Sequence, residues 1–151
     1  MQTRTTSERP AVARILMVDD NRSGLAARKA VLEELGHRVT TATRAEDAFE
    51  LLSKAPFDLV ITDHRLAKIN GVELIREIHA AEFKVPVIML SSLVDALGLT
   101  ESSTGADIVL AKSANELTHL TRAVTRLLRP PAKRKPPQRQ ALAAKAKRQH
   151  A

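Results

Sequence analysis

Acidic, hydroxyl and ammonium side chains stand at the ends of four short apolar runs. Asp19 and Asp20 follow the first run, Asp63 the second, Ser91 the third and Lys112 the fourth. Carboxylate oxygens are ligands that Mg²⁺ prefers in proteins, and the cation would neutralise an incoming phosphoryl group. The ammonium and hydroxyl groups would bind the remaining phosphoryl oxygens. These residue types predict phosphoryl chemistry, with Asp63 as the nucleophile that forms an aspartyl-phosphate.

This chemistry requires the apolar runs to be neighbouring strands whose ends meet. Their lengths and flanking residues are typical of strands that are buried on both faces. The predicted strands cover residues 15–18, 38–41, 59–62, 86–90 and 108–110. The predicted helices cover residues 23–35, 71–81, 94–100 and 116–128, and a further helix begins after Thr43, which would cap it with Glu46 three residues on.

Regular alternation of strands and helices predicts an α/β fold, a doubly wound five-stranded parallel sheet with helices on both faces. Ligands of such sheets bind beyond the carboxyl ends of the strands, where the strand order reverses. The candidate residues stand at those ends. Three carboxylates this close together repel one another, so both a cation and Lys112 are needed to keep them ionised.

The composition excludes several other kinds of protein. A length of 151 residues allows one ordinary domain, and the 44% hydrophobic content supplies a core of Val, Ile, Leu and Ala because Trp and Tyr are absent. The absence of Cys excludes disulfides, thiolate metal sites and thiol catalysis. No apolar run approaches the roughly 18 residues of a membrane span. We therefore expect a soluble, cytoplasmic protein.

Charge divides the chain into a nearly neutral domain and a basic tail. Of the 24 Lys and Arg residues, eight lie from Arg129 onward with no acidic residue among them, which leaves 16 basic against 17 acidic residues before that point. We expect a flexible arm at residues 1–11, a domain at 12–128 and a disordered tail at 129–151, because paired prolines and like charges oppose folding there.

The basic tail has several interpretations. It could be a solvated tail that only improves solubility, or it could contact an acidic protein or an anionic membrane. Clustered Lys and Arg also gain affinity for nucleic acid by releasing counterions. Because the tail contains no aromatic residue to stack on bases, any such contact would be weak, salt-sensitive and unspecific.

Four motifs resemble those of the receiver domains of two-component response regulators. They are ILMVDDN at 15–21, DLVITD at 58–63, PVIMLS at 86–91 and GAD at 105–107 followed by Lys112. The resemblance covers residues 12–128 and implies the flavodoxin-like receiver fold, here with a short tail in place of an output domain. It implies that Asp63 accepts phosphate from a sensor histidine kinase or phosphotransfer protein.

The resemblance also assigns roles to the other site residues. Asp19, Asp20 and Asp63 would hold Mg²⁺ together with the backbone carbonyl of Arg65. Ser91 would be the switch hydroxyl and Lys112 the phosphate-binding ammonium. The only catalysis implied is Mg²⁺-dependent phosphorylation and dephosphorylation of the chain itself, and the signal would pass to a downstream protein that the sequence does not identify.

Three positions depart from the family pattern. Ala67 and Ser113 stand where family members usually have Pro, and Val109 replaces the switch aromatic of the last strand. Without the second Pro, a cis bond before Ser113 would cost about 3–4 kcal/mol. We therefore expect a trans or strained loop after Lys112, and an altered or muted readout at Val109.

Other interpretations of the sequence are a nucleic-acid-associated protein, in which the receiver is a regulatory cap on the basic tail, and a phosphorelay intermediate. Vitamin B12-binding domains share the fold class, but their Asp-x-His-x-x-Gly spacing fails because His64 directly follows Asp63. His64 is expected to be a side chain at the rim of the site, with metal binding or a second phosphate site as the alternatives. No Gly-rich phosphate loop is present.

Overall fold

The computed structural model describes residues 12–129. The predicted arm at 1–11 and all but the first residue of the predicted tail lie outside the described residues. Within the described range there are five strands and six helices. They are β1 (Arg14–Val18), α1 (Arg22–Glu34), β2 (Arg38–Ala42), α2 (Ala45–Lys54), β3 (Leu59–Asp63), α3 (Gly71–Ala80), β4 (Val87–Ser91), α4 (Val94–Leu97), α5 (Glu101–Thr104), β5 (Ile108–Ala111) and α6 (Glu116–Leu127).

The five strands form one parallel sheet in the order β2-β1-β3-β4-β5. The chain runs from β1 outward to β2 and then returns to β3 on the other side of β1, so the strand order reverses between β1 and β3. Val18 pairs with Thr62, and Ser91 pairs with Ala111, so the carboxyl ends of the strands are nearly level. The predicted parallel sheet is confirmed.

Two hydrophobic cores lie on opposite faces of the sheet, because successive side chains of a strand point to opposite faces. On β1, Leu16 and Val18 join the core that α2 and α3 cover, whereas Ile15 and Met17 join the core that α1 and α6 cover. The strands β3 and β4 are buried along their whole length. The predicted doubly wound arrangement is therefore confirmed.

Local signals at the ends of α1 place the helix within one residue of its predicted bounds. The Asn21 side chain accepts hydrogen bonds from the backbone N–H groups of Ser23 and Gly24, as an N-cap residue does. After the helix, Gly36 adopts a φ of 99°, a conformation that glycine adopts without steric cost. Gly36 is therefore the residue at which the chain leaves the helix.

Two predictions about helices are wrong. Thr43 does not cap α2: the N-cap residue is Arg44, in extended conformation and without a capping side-chain bond. Glu46 and Asp47 instead place negative charge in the first turn, where the helix dipole favours it. The helix predicted over 94–100 ends at Leu97, because Gly98 adopts a left-handed conformation, and a separate turn, α5, begins after its own cap residue Thr100.

A capping box begins α3, the helix that follows the loop after β3. The Asn70 side chain accepts from the Glu73 N–H, and the Glu73 side chain accepts from the Asn70 N–H. We expect Asn70→Ala to lower the free energy of unfolding by about 1 kcal/mol, measured by urea denaturation. Asn115 is the matched control because it is the N-cap of α6 but makes no side-chain cap bond. An equal loss in Asn115→Ala would contradict this explanation.

The strand β5 lies at one edge of the sheet, and a carboxylate covers part of that edge. The Val109 N–H donates to Glu101 Oε2 of α5 at 2.9 Å. This bond joins α5 to the strand at Val109. No helix among residues 12–129 has the length and apolar character to cross a membrane.

Candidate functional site

Asp63 is the last residue of β3, in the centre of the sheet, and only 7% of its surface is exposed. Lys112 follows β5 and reaches across the intervening strand end, with its Nζ 2.6 Å from Asp63 Oδ1. The Lys112 N–H also donates to the Ser91 carbonyl oxygen at 2.9 Å, which fixes the backbone of the loop. A buried carboxylate and a fixed ammonium thus meet at the predicted edge.

The carboxylates of Asp19, Asp20 and Asp63 form a group, called here the acidic cluster. One oxygen from each lies within 4.8 Å of the others. Asp19 is 3% exposed, and its Oδ1 accepts from the Asn21 N–H at 2.9 Å, while Asp20 is exposed. Because three hard oxygen donors stand together with an open side, the donor set fits Mg²⁺, which keeps several of its waters.

The charges in the site explain why a cation suits it. Burial raises the pKa of Asp63, the hydrogen bond from Lys112 lowers it, and the negative charge of Asp19 raises it again, so that the net shift is upward. A divalent cation among the three carboxylates would oppose both causes of the upward shift. The electrostatics of the cluster therefore favour cation binding.

Ser91 ends β4, one residue beyond Leu90, which pairs with Asp63 in the sheet, and it is buried. Its Oγ accepts from the Leu93 N–H at 2.9 Å, so the hydroxyl proton remains to be donated. A phosphoryl oxygen on Asp63 would be a suitable acceptor for that proton. The structure thus brings together Asp63, Asp19, Asp20 and Lys112 and places Ser91 at the end of the neighbouring strand.

The loop between β3 and α3 holds the remaining predicted residues. His64 is half-buried, and its Nδ1 is buried without a hydrogen-bond partner in the structure, but it does not belong to the acidic cluster. The Gly71 N–H donates to the His64 carbonyl oxygen at 2.8 Å and closes the loop. Arg65, whose backbone carbonyl is the expected fourth metal ligand, lies in this loop two residues after Asp63 and is exposed.

Two residues of the site were missed by sequence reasoning. Arg28 on α1 donates from Nη1 to Asp19 Oδ2 at 2.8 Å and from Nε to Glu116 Oε2. The available signal was a charge on the apolar face of α1, in phase with Leu25 and Leu32, which are buried.

The peptide bonds within residues 12–129 include no cis bond, so the bond between Lys112 and Ser113 is trans, one of the two expected outcomes.

Most of the described residues match a known protein family. Residues 15–125 match the response regulator receiver domain family. A gliding motility regulatory protein of Myxococcus xanthus is 33% identical over 129 residues, which are 82% of this chain and 17% of that protein. The chain therefore spans about a sixth of the length of this relative.

Solved structures resemble the chain over the same region. The response regulator TrrA of Thermotoga maritima, crystallised with Mg²⁺ and BeF, aligns with a TM-score of 0.69 and 31% identity over 76% of this chain and 98% of that one. The receiver domain of the sensor histidine kinase PA1611 of Pseudomonas aeruginosa, with a magnesium ion in its active-site cleft, aligns with a TM-score of 0.70 and 29% identity over 78% and 98%.

Proposed function

Because the chain belongs to the response regulator receiver domain family, we propose that Asp63 is its phospho-acceptor and that the acidic cluster holds Mg²⁺. The observation that carries this proposal is the meeting of Lys112 Nζ and Asp63 Oδ1 at 2.6 Å, beside two further carboxylates. Aspartate phosphorylation is the general function of this family.

In the proposed reaction, a carboxylate oxygen of Asp63 attacks the phosphorus atom of a phosphohistidine on a kinase or phosphotransfer protein. The bond between phosphorus and the imidazole nitrogen breaks, and the imidazole departs and takes up a proton. Bound Mg²⁺ would supply positive charge beside the transferring oxygens. Lys112 would leave its ion pair with Asp63 and bind one phosphoryl oxygen, and Ser91 would donate its hydroxyl proton to another.

The metal ligands in this proposal are Asp19, Asp20, Asp63 and the backbone carbonyl of Arg65. Asp63 would have a double task, since it would attack phosphorus through one oxygen and would also help to hold the cation. Lys112 supports this task because its ammonium favours the ionised form of the buried carboxylate. Lys112 and a bound cation would therefore both favour the ionised form of Asp63, which the attack on phosphorus requires.

Phosphorylation would change the contacts of Lys112 and Ser91 and thereby the surface formed by α4, α5, β5 and α6. Val109 is too small to swing between two positions as an aromatic ring does, and its N–H is bonded to Glu101. We infer that the signal passes to a protein partner through movement of backbone in these elements. The chain would then act as a cytoplasmic signalling domain through protein contacts.

The experiment that tests the proposal is intact-mass measurement after incubation with acetyl phosphate. We expect a gain of one phosphoryl group in the presence of Mg²⁺ and no gain after addition of a chelator, because the cation offsets repulsion between the carboxylates and phosphate. Heat-denatured protein is the control for unspecific acylation or phosphorylation. Equal labelling with and without chelator would contradict the metal site, and no labelling in either would contradict the acceptor assignment.

A further inference from the structure

Arg28 is a charged residue in a position that the helix otherwise gives to aliphatic side chains. It lies on the face of α1 that packs on the sheet, with Leu25 three residues before it and Leu32 four residues after it, and it is 7% exposed. Burying a guanidinium costs free energy unless its positive charge is paired with a negative charge. The groups that pair with Arg28 therefore indicate why a charged residue is tolerated at this position.

Both partners of Arg28 are carboxylates with little exposure. Asp19 Oδ2 accepts from Arg28 at 2.8 Å and lies 3.8 Å from Lys112 Nζ, and Glu116 accepts from the other side of the guanidinium. Burial would lower the pKa of Arg28, but the hydrogen bonds and charges of Glu116 and Asp19 outweigh it, and the pKa lies above its ordinary value. The guanidinium thus stays charged beside the acidic cluster.

This positive charge would compete with a divalent cation for Asp19. Both Asp19 oxygens are already engaged, one by the Asn21 N–H and the other by Arg28. We propose that Arg28 is a positioning residue which, through Asp19, lowers the affinity of the acidic cluster for Mg²⁺ and, through Glu116, makes that affinity depend on α6. This inference rests on the metal site of the proposed function.

The role of Glu116 follows from its place in the structure. Glu116 is the first residue of α6, and its carboxylate neutralises part of the charge that Arg28 directs at Asp19. Loss of this carboxylate leaves the guanidinium to Asp19 alone, so Mg²⁺ binding should weaken. Since coupling between sites is reciprocal, Mg²⁺ binding also alters the bond between Arg28 and Glu116.

Isothermal titration of the full chain with Mg²⁺ tests the inference. In Arg28→Met, which keeps an apolar stem but loses the charge, we expect the dissociation constant for Mg²⁺ to fall about tenfold. In Glu116→Gln we expect it to rise about threefold. If Arg28 and Glu116 only stabilised the fold, the two substitutions would not shift the affinity for Mg²⁺ in opposite directions.

The control is Lys29→Met, which removes the same charge from the neighbouring position of α1. The Lys29 side chain is 39% exposed and pairs with Glu33, so Mg²⁺ affinity should stay within about twofold. The double variant Arg28→Met/Glu116→Gln removes the buried pair as a unit and should bind Mg²⁺ as Arg28→Met does.

Unchanged or weaker Mg²⁺ binding in Arg28→Met would overturn the inference. If that variant does not fold, Glu116→Gln decides, and unchanged or tighter binding there would overturn it. An equal effect of Glu116→Gln with and without Arg28 would overturn the link to α6. Failure of the wild-type chain to bind Mg²⁺ is a different result, because it removes the proposed metal site itself.

Discussion

Asp63→Asn is expected to reduce phosphorylation by acetyl phosphate to background. The amide has no anionic oxygen to attack phosphorus, so an acyl phosphate cannot form at this position. The variant keeps the shape of a side chain that is 7% exposed and removes a charge that burial disfavours, so the fold should persist. Intact-mass measurement reports the labelled fraction, and circular dichroism checks the fold.

Asp47→Asn is the matched control for this experiment. The Asp47 side chain lies on α2, is 45% exposed and pairs with Arg44 at 3.3 Å, so the substitution removes the same charge away from the acidic cluster. It should be labelled like the wild-type chain. A mass gain in Asp63→Asn that hydroxylamine removes would show that a different carboxylate accepts the phosphoryl group, and the assignment of Asp63 would then be wrong.

Gly71→Ala is expected to cause the largest loss of stability, about 3 kcal/mol in the free energy of unfolding. A Cβ atom at Gly71 would lie inside van der Waals distance of the Asp63 carbonyl oxygen and 3.0 Å from Met89 Cε. Since the nearest atom belongs to backbone in the centre of the sheet, it cannot rotate away. Urea denaturation measures the loss.

Gly98→Ala separates this steric clash from the ordinary cost of replacing glycine. Gly98 adopts a φ of 61°, but a Cβ atom there would meet nothing within 4 Å. We expect a loss of about 1 kcal/mol from the left-handed conformation alone. A smaller loss in Gly71→Ala than in Gly98→Ala would show that the strand end moves easily and that Gly71 does not fix Asp63.

The sheet and the meeting of the charged residues could be predicted because both depend on local patterns. Strands such as 59–62 are short, apolar and closed by a polar residue, and parallel strands bring their carboxyl ends to one edge. The apolar residues Val60 and Ile61 therefore predict that β3 is buried and that Asp63 lies at its carboxyl end. The same logic placed Lys112 at the end of β5.

Features that depend on contacts between distant residues could not be predicted. Arg28 and Glu116 are 88 positions apart, and no local pattern links a charge on α1 to the start of α6. The region 94–104 carries weak helical signals on both sides of Gly98, so its division into two turns depends on the conformation of a single residue. Thr43 failed as a cap because the helix begins one residue later than its pattern indicated.

The bond between Glu101 and Val109 has a consequence for how the molecule behaves among copies of itself. An edge strand with free N–H groups is a template on which another chain can add a strand and begin aggregation. At Val109 the outward N–H already has a carboxylate acceptor, so a foreign strand would have to displace a charged group to pair there. Glu101 would therefore hinder the addition of a strand to β5 at Val109.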